Sequence, residues 1–442
     1  MKILHVTGYM AEAGIGKAIS GLVLNETVHE HTILCLEYSQ KRREAEKCIR
    51  QGIRVLEQPD YEKITEEISI SDVVIVHWWH YPPMAEFLAN FPAVLCRAVL
   101  WSHVSGCTYP FLPYDFLNCF QRILFTSPYA YENLLWGDEG LAHIEEKSGI
   151  VYGLSDICPA KVKTGYDKNK DGFTLIYVGS FTESKLYPGF AEVCQEIIQE
   201  IPESRFVMVG EDGTASWVKE KISRLQIEDH FKWTGFIDDV YQAMIESDVF
   251  FYPLNPFHFG TTENVILEAM AVGLPIVAFD QAAEKYIIKG RQTGMLADTK
   301  DDFRKILKDL YQEERLREDL GRRARESFSV QFKIRENITR FDEQVSQCMK
   351  RPKQVHSFSH IIGTKPWEWF LSAMRPEDRE MFLKQQTKKL VCCQPIFREK
   401  TKSSIFHFQK YFPSDNYLQN WSRAMEESAS KIGAKFGENV EK

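Results

Sequence analysis

No stretch of this 442-residue sequence approaches the roughly 18 consecutive apolar residues that a spanning helix needs, which argues against an integral membrane protein. The amino terminus, MKILHVTGYM, meets a glycine before any signal-peptide core could form, so it reads as a first β-strand. Among the ten cysteines there is no CxxC pair and no Cys/His cluster with zinc spacing. That absence points to reduced thiols in a cytoplasm. The adjacent Cys392 and Cys393 read as packing residues rather than a redox pair. A basic excess is also missing: the net charge of −8 discourages nucleic acid as a partner. No HExxH and no Asp-x-Asp occurs, and no biased tract suggests disorder. A complete dinucleotide fingerprint is absent too, because the glycines of GYMAEAGIGKAIS, Gly14 and Gly16, lack the third member that GxGxxG requires.

What the chain does have is alternation. KILHVTGYM, HTILCLEYS, SDVVIVHWW, AVLCRAVLWSH and RILFTS are short β-branched or aromatic runs separated by helix-length amphipathic segments. This pattern predicts a parallel sheet with helical crossovers. Around TGYDKNKDG, residues 164 to 172, glycine and charge replace the apolar period and mark a linker. A second series follows, from FTLIYVGSF through RFVMVGED, FKWTGF and DVFFYPL to IVAFD and GMLAD. The reading is α/β: two facing Rossmann-like domains, 1–165 and 166–350, the second closed by charged amphipathic helices. Residues 351–442 form a mostly helical extension rich in aromatics and basic residues, as in PWEWFLSAM, KQQTKKLV and IFHFQKYF. That extension is read as a brace on the first domain, as a protein-partner site, or as peripheral contact with an anionic membrane.

The stretch PFHFGTTENVILEAMAVGLPIVAFD, residues 256 to 280, carries the chemistry. Thr261 or Thr262 is expected to cap a helix that ends at Gly273, with Pro275 preventing its continuation. On that helix Val265, Glu268 or Ala269, and Val272 share one stripe, which sets the Glu268 carboxylate among apolar neighbours. Two readings stand: Glu268 pairs with a lysine at the rim of the packing surface, or it binds a ribose diol where the helix meets the carboxyl edge of the sheet, with first-turn amides facing a phosphate. Aromatics at the end of SDVVIVHWWHYPPM, with His77, Trp78 and Trp79, suit a sugar or acceptor platform. His77 and His80 have no third metal ligand nearby in sequence.

FGTTENVILEAMAVGLPIVAFD resembles the donor-site segment of the family 4 retaining glycosyltransferases, which have the two-domain GT-B fold, and the likeness extends over about residues 1 to 350. The resemblance implies a sugar transfer of hexosyltransferase type from a nucleotide-sugar, UDP-linked by preference, to a glycan, lipid-linked or protein acceptor, as in polysaccharide biosynthesis. It implies that Glu268 holds the ribose and that Lys185, in IYVGSFTESKLYPGF, faces the diphosphate. Fixed donors are needed there because negative charge builds on the leaving group. It places Thr262, Glu263 and Asn264 at the sugar and diphosphate, Phe236 and Ile237 at the nucleobase, Gly14 and Gly16 against the donor, and His103 beside the transferred sugar. Two positions depart from the family pattern: Ser180 stands where an arginine is usual, and Gly260 where a glutamate is usual. The missing Asp-x-Asp leaves metal-dependent transfer unsupported, so neither metal nor cofactor is expected. A nucleotide-sugar epimerase of the same fold and a non-catalytic GT-B partner protein are the rival readings; the enzyme is expected in the cytoplasm, with an option of peripheral binding at the inner membrane face.

Overall fold

The computed structural model describes residues 1–10, 14–165, 172–237, 239–386, 394–397 and 399–438, with side chains up to 428. Most of the expected linker, part of the first glycine-bearing loop, the segment around KKLV and the Cys392–Cys393 pair therefore lie outside the described residues. By contact the chain divides into two compact units, one comprising Met1–Ser155 with Asn337–Lys442 and the other Asp156–Glu336. The dividing points thus fall at residues 155/156 and 336/337, and the segment read as a separate extension is part of the first unit.

The first unit is built on a seven-stranded sheet with the order β3-β2-β1-β4-β6-β7-β8. Its strands are β1 (Lys2–Thr7), β2 (Glu30–Cys35), β3 (Arg54–Glu57), β4 (Val73–Trp78), β6 (Ala98–Ser102), β7 (Arg122–Phe125) and β8 (Ser148–Ile150). All its pairings are parallel. The central strand VVIVHW is buried along its whole length, as a parallel strand covered on both faces must be. One face packs under the helix Ile334–Met349, whose Phe341, Val345 and Cys348 meet Ile3, Ile75, Val99 and Trp101. The other face packs against the carboxy-terminal helices: Trp369, Phe370, Phe382, Phe397, Phe408 and Trp421 share one core with Trp78, Tyr81, Phe116 and Phe120. A two-stranded antiparallel ribbon, β5 (Leu95–Cys96) with β15 (Gln354–Val355), adds a backbone tie. The aromatics after residue 352 are therefore structural members of the first unit, and the brace is the reading that the packing shows.

The second unit is a six-stranded parallel sheet with the order β11-β10-β9-β12-β13-β14. These strands are β9 (Phe173–Val178), β10 (Ser204–Val209), β11 (Phe231–Gly235), β12 (Val249–Tyr252), β13 (Ile276–Phe279) and β14 (Met295–Ala297). The order reverses between β9 and β12. In a doubly wound sheet that point opens a crevice at the carboxyl ends of the strands, where ligands bind.

Candidate functional site

In the second unit, the loops that follow β9 and β12 meet at this switch point. Their backbones are laced together: the Asn255 amide donates to the Lys185 carbonyl (2.9 Å) and the Tyr187 amide to the Pro253 carbonyl (3.1 Å). The Asn255 side chain adds a bond to the Glu183 carbonyl (2.8 Å). Lys185 is thereby fixed on the loop after β9, and its ammonium reaches Glu263, donating to both carboxylate oxygens at 2.8 Å. Tyr252, at the end of β12, donates a third bond to the same carboxylate (2.5 Å). The pair is well covered, with side-chain exposures of 11% for Lys185 and 6% for Glu263. Burial alone would raise the Glu263 carboxyl, but Lys185, His258 and the bonds from Lys185 and Tyr252 together hold it below the usual carboxylate range.

Glu263 also corrects the expected cap. The helix spans Asn264–Val272, and its N-cap is Glu263 in the left-handed region (φ 45°, ψ 62°), with no side-chain capping bond. Neither Thr261 nor Thr262 takes that role. The left-handed backbone turns the Glu263 carboxylate back toward Lys185 and over Gly260. A side chain at position 260 would overlap that carboxylate and the ring of His258, so a glycine there is a steric requirement. His258 accepts from the Gly260 amide at Nδ1 (3.0 Å), which leaves its Nε2–H for the buried Glu284 (3.1 Å). Tyr252, His258 and Glu284 were not legible from sequence; a histidine and glutamate flanking the motif were the only sign of them.

The other terminus of the helix is as expected, with Gly273 at φ 81° ending it. Burial covers more than one stripe, taking in Ile266 through Val272 continuously, and Glu268 is only 7% exposed. Its charge is felt at Tyr241, whose hydroxyl is pushed up by burial first and then by Glu268 and Asp156. Thr262 is buried beside this turn, while Glu263 and Asn264 are half-buried. Ser180 is exposed just past β9 and its carbonyl accepts from Tyr177 (2.8 Å). Phe236 is exposed past β11, with Ile237 half-buried next to it. Lys185, Glu263, Thr262 and Asn264 are thus brought to one edge of the sheet, with Glu268 on the adjoining helix.

In the first unit, His103 follows β6 and stays partly exposed. Its Nε2 is 2.9 Å from His77 Nδ1, and its ring stacks on Trp101 at 5.4 Å. Burial holds its pKa down to about 3. The expected aromatic platform is reduced. His77 (0% exposed) and Trp78 (1%) are core residues, because β4 is covered on both faces; neither can meet a sugar. Trp78 packs on Phe116 at 4.8 Å. Only Trp79 remains half-buried, stacked on Tyr81 at 4.5 Å with the Lys402 ammonium 5.3 Å from its ring centre. Gly14 is exposed at φ 53° and forms the N-cap of the helix Ile15–Val23; Gly16 is buried within it. Among the described residues, Glu26, His29 and Asp342 form the one grouping with metal-ligand spacing, their ligand atoms lying within 4.8 Å. Glu26 is already engaged there: its Oε1 accepts from the Val28 amide and its Oε2 from the His29 amide and the His31 ring.

Residues 161–327 match the family model described as glycosyl transferases group 1. The chain is 25% identical over 198 residues to N-acetyl-alpha-D-glucosaminyl L-malate synthase of Bacillus anthracis, covering 43% of this chain and 49% of that protein. It is 31% identical over 196 residues to the sulfoquinovosyl transferase SQD2 of Arabidopsis thaliana, covering 42% and 36%. The chain therefore spans half or less of these curated relatives. Among solved structures, Anabaena Alr3699/HepE in complex with UDP and glucose aligns with a TM-score of 0.61 at 16% identity, over 78% of this chain and 100% of that one. A glycosyltransferase from Rickettsia africae ESF-5 aligns with a TM-score of 0.60 at 14% identity, over 79% and 99%. Residues 161–327 are thus similar to the glycosyl transferases group 1, and the chain shares the α/β fold of these solved structures.

Proposed function

We propose that the chain transfers a sugar from a nucleotide-sugar to an acceptor hydroxyl with retention of configuration. The observation that carries this reading is the convergence of Lys185, the Glu263 turn and the Glu268 helix at the β9/β12 switch point of a glycosyl transferases group 1 domain. In this reading Glu268 grips the ribose, and Lys185 with the first-turn amides offsets charge on the departing diphosphate. A phosphate oxygen of the leaving group then takes the acceptor proton on the same face, so no carboxylate nucleophile and no metal are required. The donor is a UDP-hexose in this proposal. Names of matched relatives, such as the peptide N-acetylglucosaminyltransferase GtfA subunit of Streptococcus pneumoniae, put UDP-N-acetylglucosamine first in a screen.

On the acceptor side, Lys400, Lys402, Lys410 and Arg423 line a cavity of about 750 Å³ in the carboxy-terminal helices. Lys402 links this basic surface to Trp79. An acceptor that carries negative charge near a sugar or lipid suits that combination. In this reading the enzyme works in the cytoplasm at an anionic membrane face, building a glycan or glycoconjugate. Among the described residues no helix is long and apolar enough to cross a membrane.

A donor panel read first by thermal shift and then by transfer, with the anomeric configuration of the product assigned by NMR and EDTA in parallel, tests the proposal. Inversion, loss of transfer in EDTA, or release of free epimerised sugar would each replace part of it. The non-catalytic reading draws support from one observation: Lys185 is already neutralised by Glu263, and Ser180 adds no charge. Absence of any nucleotide binding in calorimetry would favour it.

A further inference from the structure

Four histidines and a glutamate cross the first sheet as one hydrogen-bonded line. Glu26 Oε2 lies 2.6 Å from His31 Nε2, His31 Nδ1 lies 2.9 Å from His5 Nε2, His5 Nδ1 lies 3.0 Å from His77 Nε2, and His77 Nδ1 lies 2.9 Å from His103 Nε2. The register explains why they meet. His5 pairs with Ile33 and Ile75, and His77 pairs with Trp101. His31, His77 and His103 therefore each lie two residues from a register partner, which keeps all four rings on one face, since strand side chains repeat with a period of two. The line climbs from β2 through β1 and β4 to the carboxyl end of β6. His5, His31 and His77 are buried, and Phe341 and Trp101 sheathe the line, with ring centres 6.3 Å from His5 and 5.1 Å from His77.

Such a line has a direction, and Glu26 sets it. Burial would raise the Glu26 carboxyl, but His31 and the amides of Val28 and His29 hold it at about 2. Glu26 is thus an acceptor only, and His31 must donate from Nε2. A neutral imidazole has one N–H, so His31 Nδ1 accepts from His5 Nε2–H, His5 Nδ1 from His77 Nε2–H, and His77 Nδ1 from His103 Nε2–H. Burial holds His5 and His77 well below the ordinary histidine value, reinforced at His5 by His31 and at His77 by His103 and His5, and it lowers His103 likewise. The far end of the line is His103 Nδ1, on a partly exposed ring, and it is left as a lone-pair acceptor.

We propose that Glu26, His31, His5 and His77 are positioning residues that lock the tautomer of His103, presenting its Nδ1 as a hydrogen-bond acceptor for a hydroxyl group of the substrate. The contact with substrate rests on the glycosyl-transfer reading; the lock itself does not.

The test uses the full chain labelled with 15N at histidine. His103 should show a pyridine-like Nδ1 and a pyrrole-like Nε2. His5→Phe, which cuts the line, should mix the two tautomers at His103, and Glu26→Ala, which removes the terminal acceptor of His31 Nε2–H, should do the same. Both variants should lose about tenfold in kcat/KM for sugar transfer, the worth of one net hydrogen bond, while affinity for UDP alone stays unchanged. A pyrrole-like Nδ1 in the wild type, or a His103 tautomer untouched by both variants, overturns the lock. A mixed tautomer with unaltered transfer kinetics overturns its role for the substrate. Should no donor be turned over at all, the glycosyl-transfer reading fails while the NMR comparison still decides the lock.

Discussion

Lys185 and Glu263 stand 78 residues apart in sequence, yet the ammonium of one donates to both carboxylate oxygens of the other at 2.8 Å. The cation proposed to face the diphosphate is therefore held in place, and partly neutralised, by Glu263.

Removing one member of such a covered pair leaves a buried charge, which costs about 3–5 kcal/mol. Lys185→Met should therefore lower both stability and turnover. The double change Lys185→Met with Glu263→Gln should recover most of the stability in urea unfolding but none of the turnover. Glu263→Gln alone should tighten nucleoside diphosphate binding several-fold, because the carboxylate no longer competes for Lys185. Recovery of turnover along with stability in the double variant would show that Lys185 is only a structural cation.

Glu268 has a different signature. If it holds the ribose, Glu268→Gln keeps the shape and loses the charge-assisted bonds, worth about 1.5–3 kcal/mol. The expected outcome is a rise in donor KM of about 10- to 100-fold with unfolding midpoints near wild type, and loss of the thermal shift with UDP. A variant that binds UDP normally would return Glu268 to the rim-pairing reading.

Much of the second unit was readable because its signals are local. Gly273 and Pro275 bound the Glu268 helix, and alternating β-branched runs named the strands. The cap was misread because Glu263 trades capping for a long-range bond to Lys185, and no local rule reports a partner 78 residues away. The histidine line was invisible for the same reason: His5, His31 and His77 become neighbours only once the strand order β2-β1-β4 is set. Trp78 and Trp79 look alike in sequence, and only the two-sided cover of β4 separates them. The aromatics of PWEWF and IFHFQKYF announced helices, but their place in the first unit's core depends on packing partners more than 200 residues upstream.

That distinction between the tryptophans is measurable. Trp78→Ala removes a fully buried ring and should cost about 3–5 kcal/mol with little specific effect on acceptor use once the folded fraction is accounted for. Trp79→Ala should cost less stability and raise the acceptor KM, more so at low salt if Lys402 and its neighbours guide an anionic acceptor. Equal effects of both changes on stability and KM would place Trp79 in the core as well.

The buried histidines make acid stability a further readout of the first unit. His5, His77 and His103 are held down by burial, as are His80 and His407, both at about 4. Each takes up its proton in the unfolded chain near the ordinary histidine value and in the folded chain only at lower pH. The unfolded state thus binds more protons below about pH 6.5, and stability falls with pH from there, by about 1.4 kcal/mol per pH unit for each such histidine. Glu26 acts in a lower window: its folded value of about 2 lies below its unfolded 4.5, so its contribution is present above pH 4.5 and fades as pH falls toward 2. Urea unfolding of the wild type between pH 5 and 7 should show the steep histidine slope, and His103→Phe should reduce that slope by about one histidine's share. A pH-independent stability across this interval would mean that these rings take up protons in the fold as readily as in the unfolded chain, and rings that protonate at ordinary pH could not hold the Glu26-to-His103 line in the direction assigned to it.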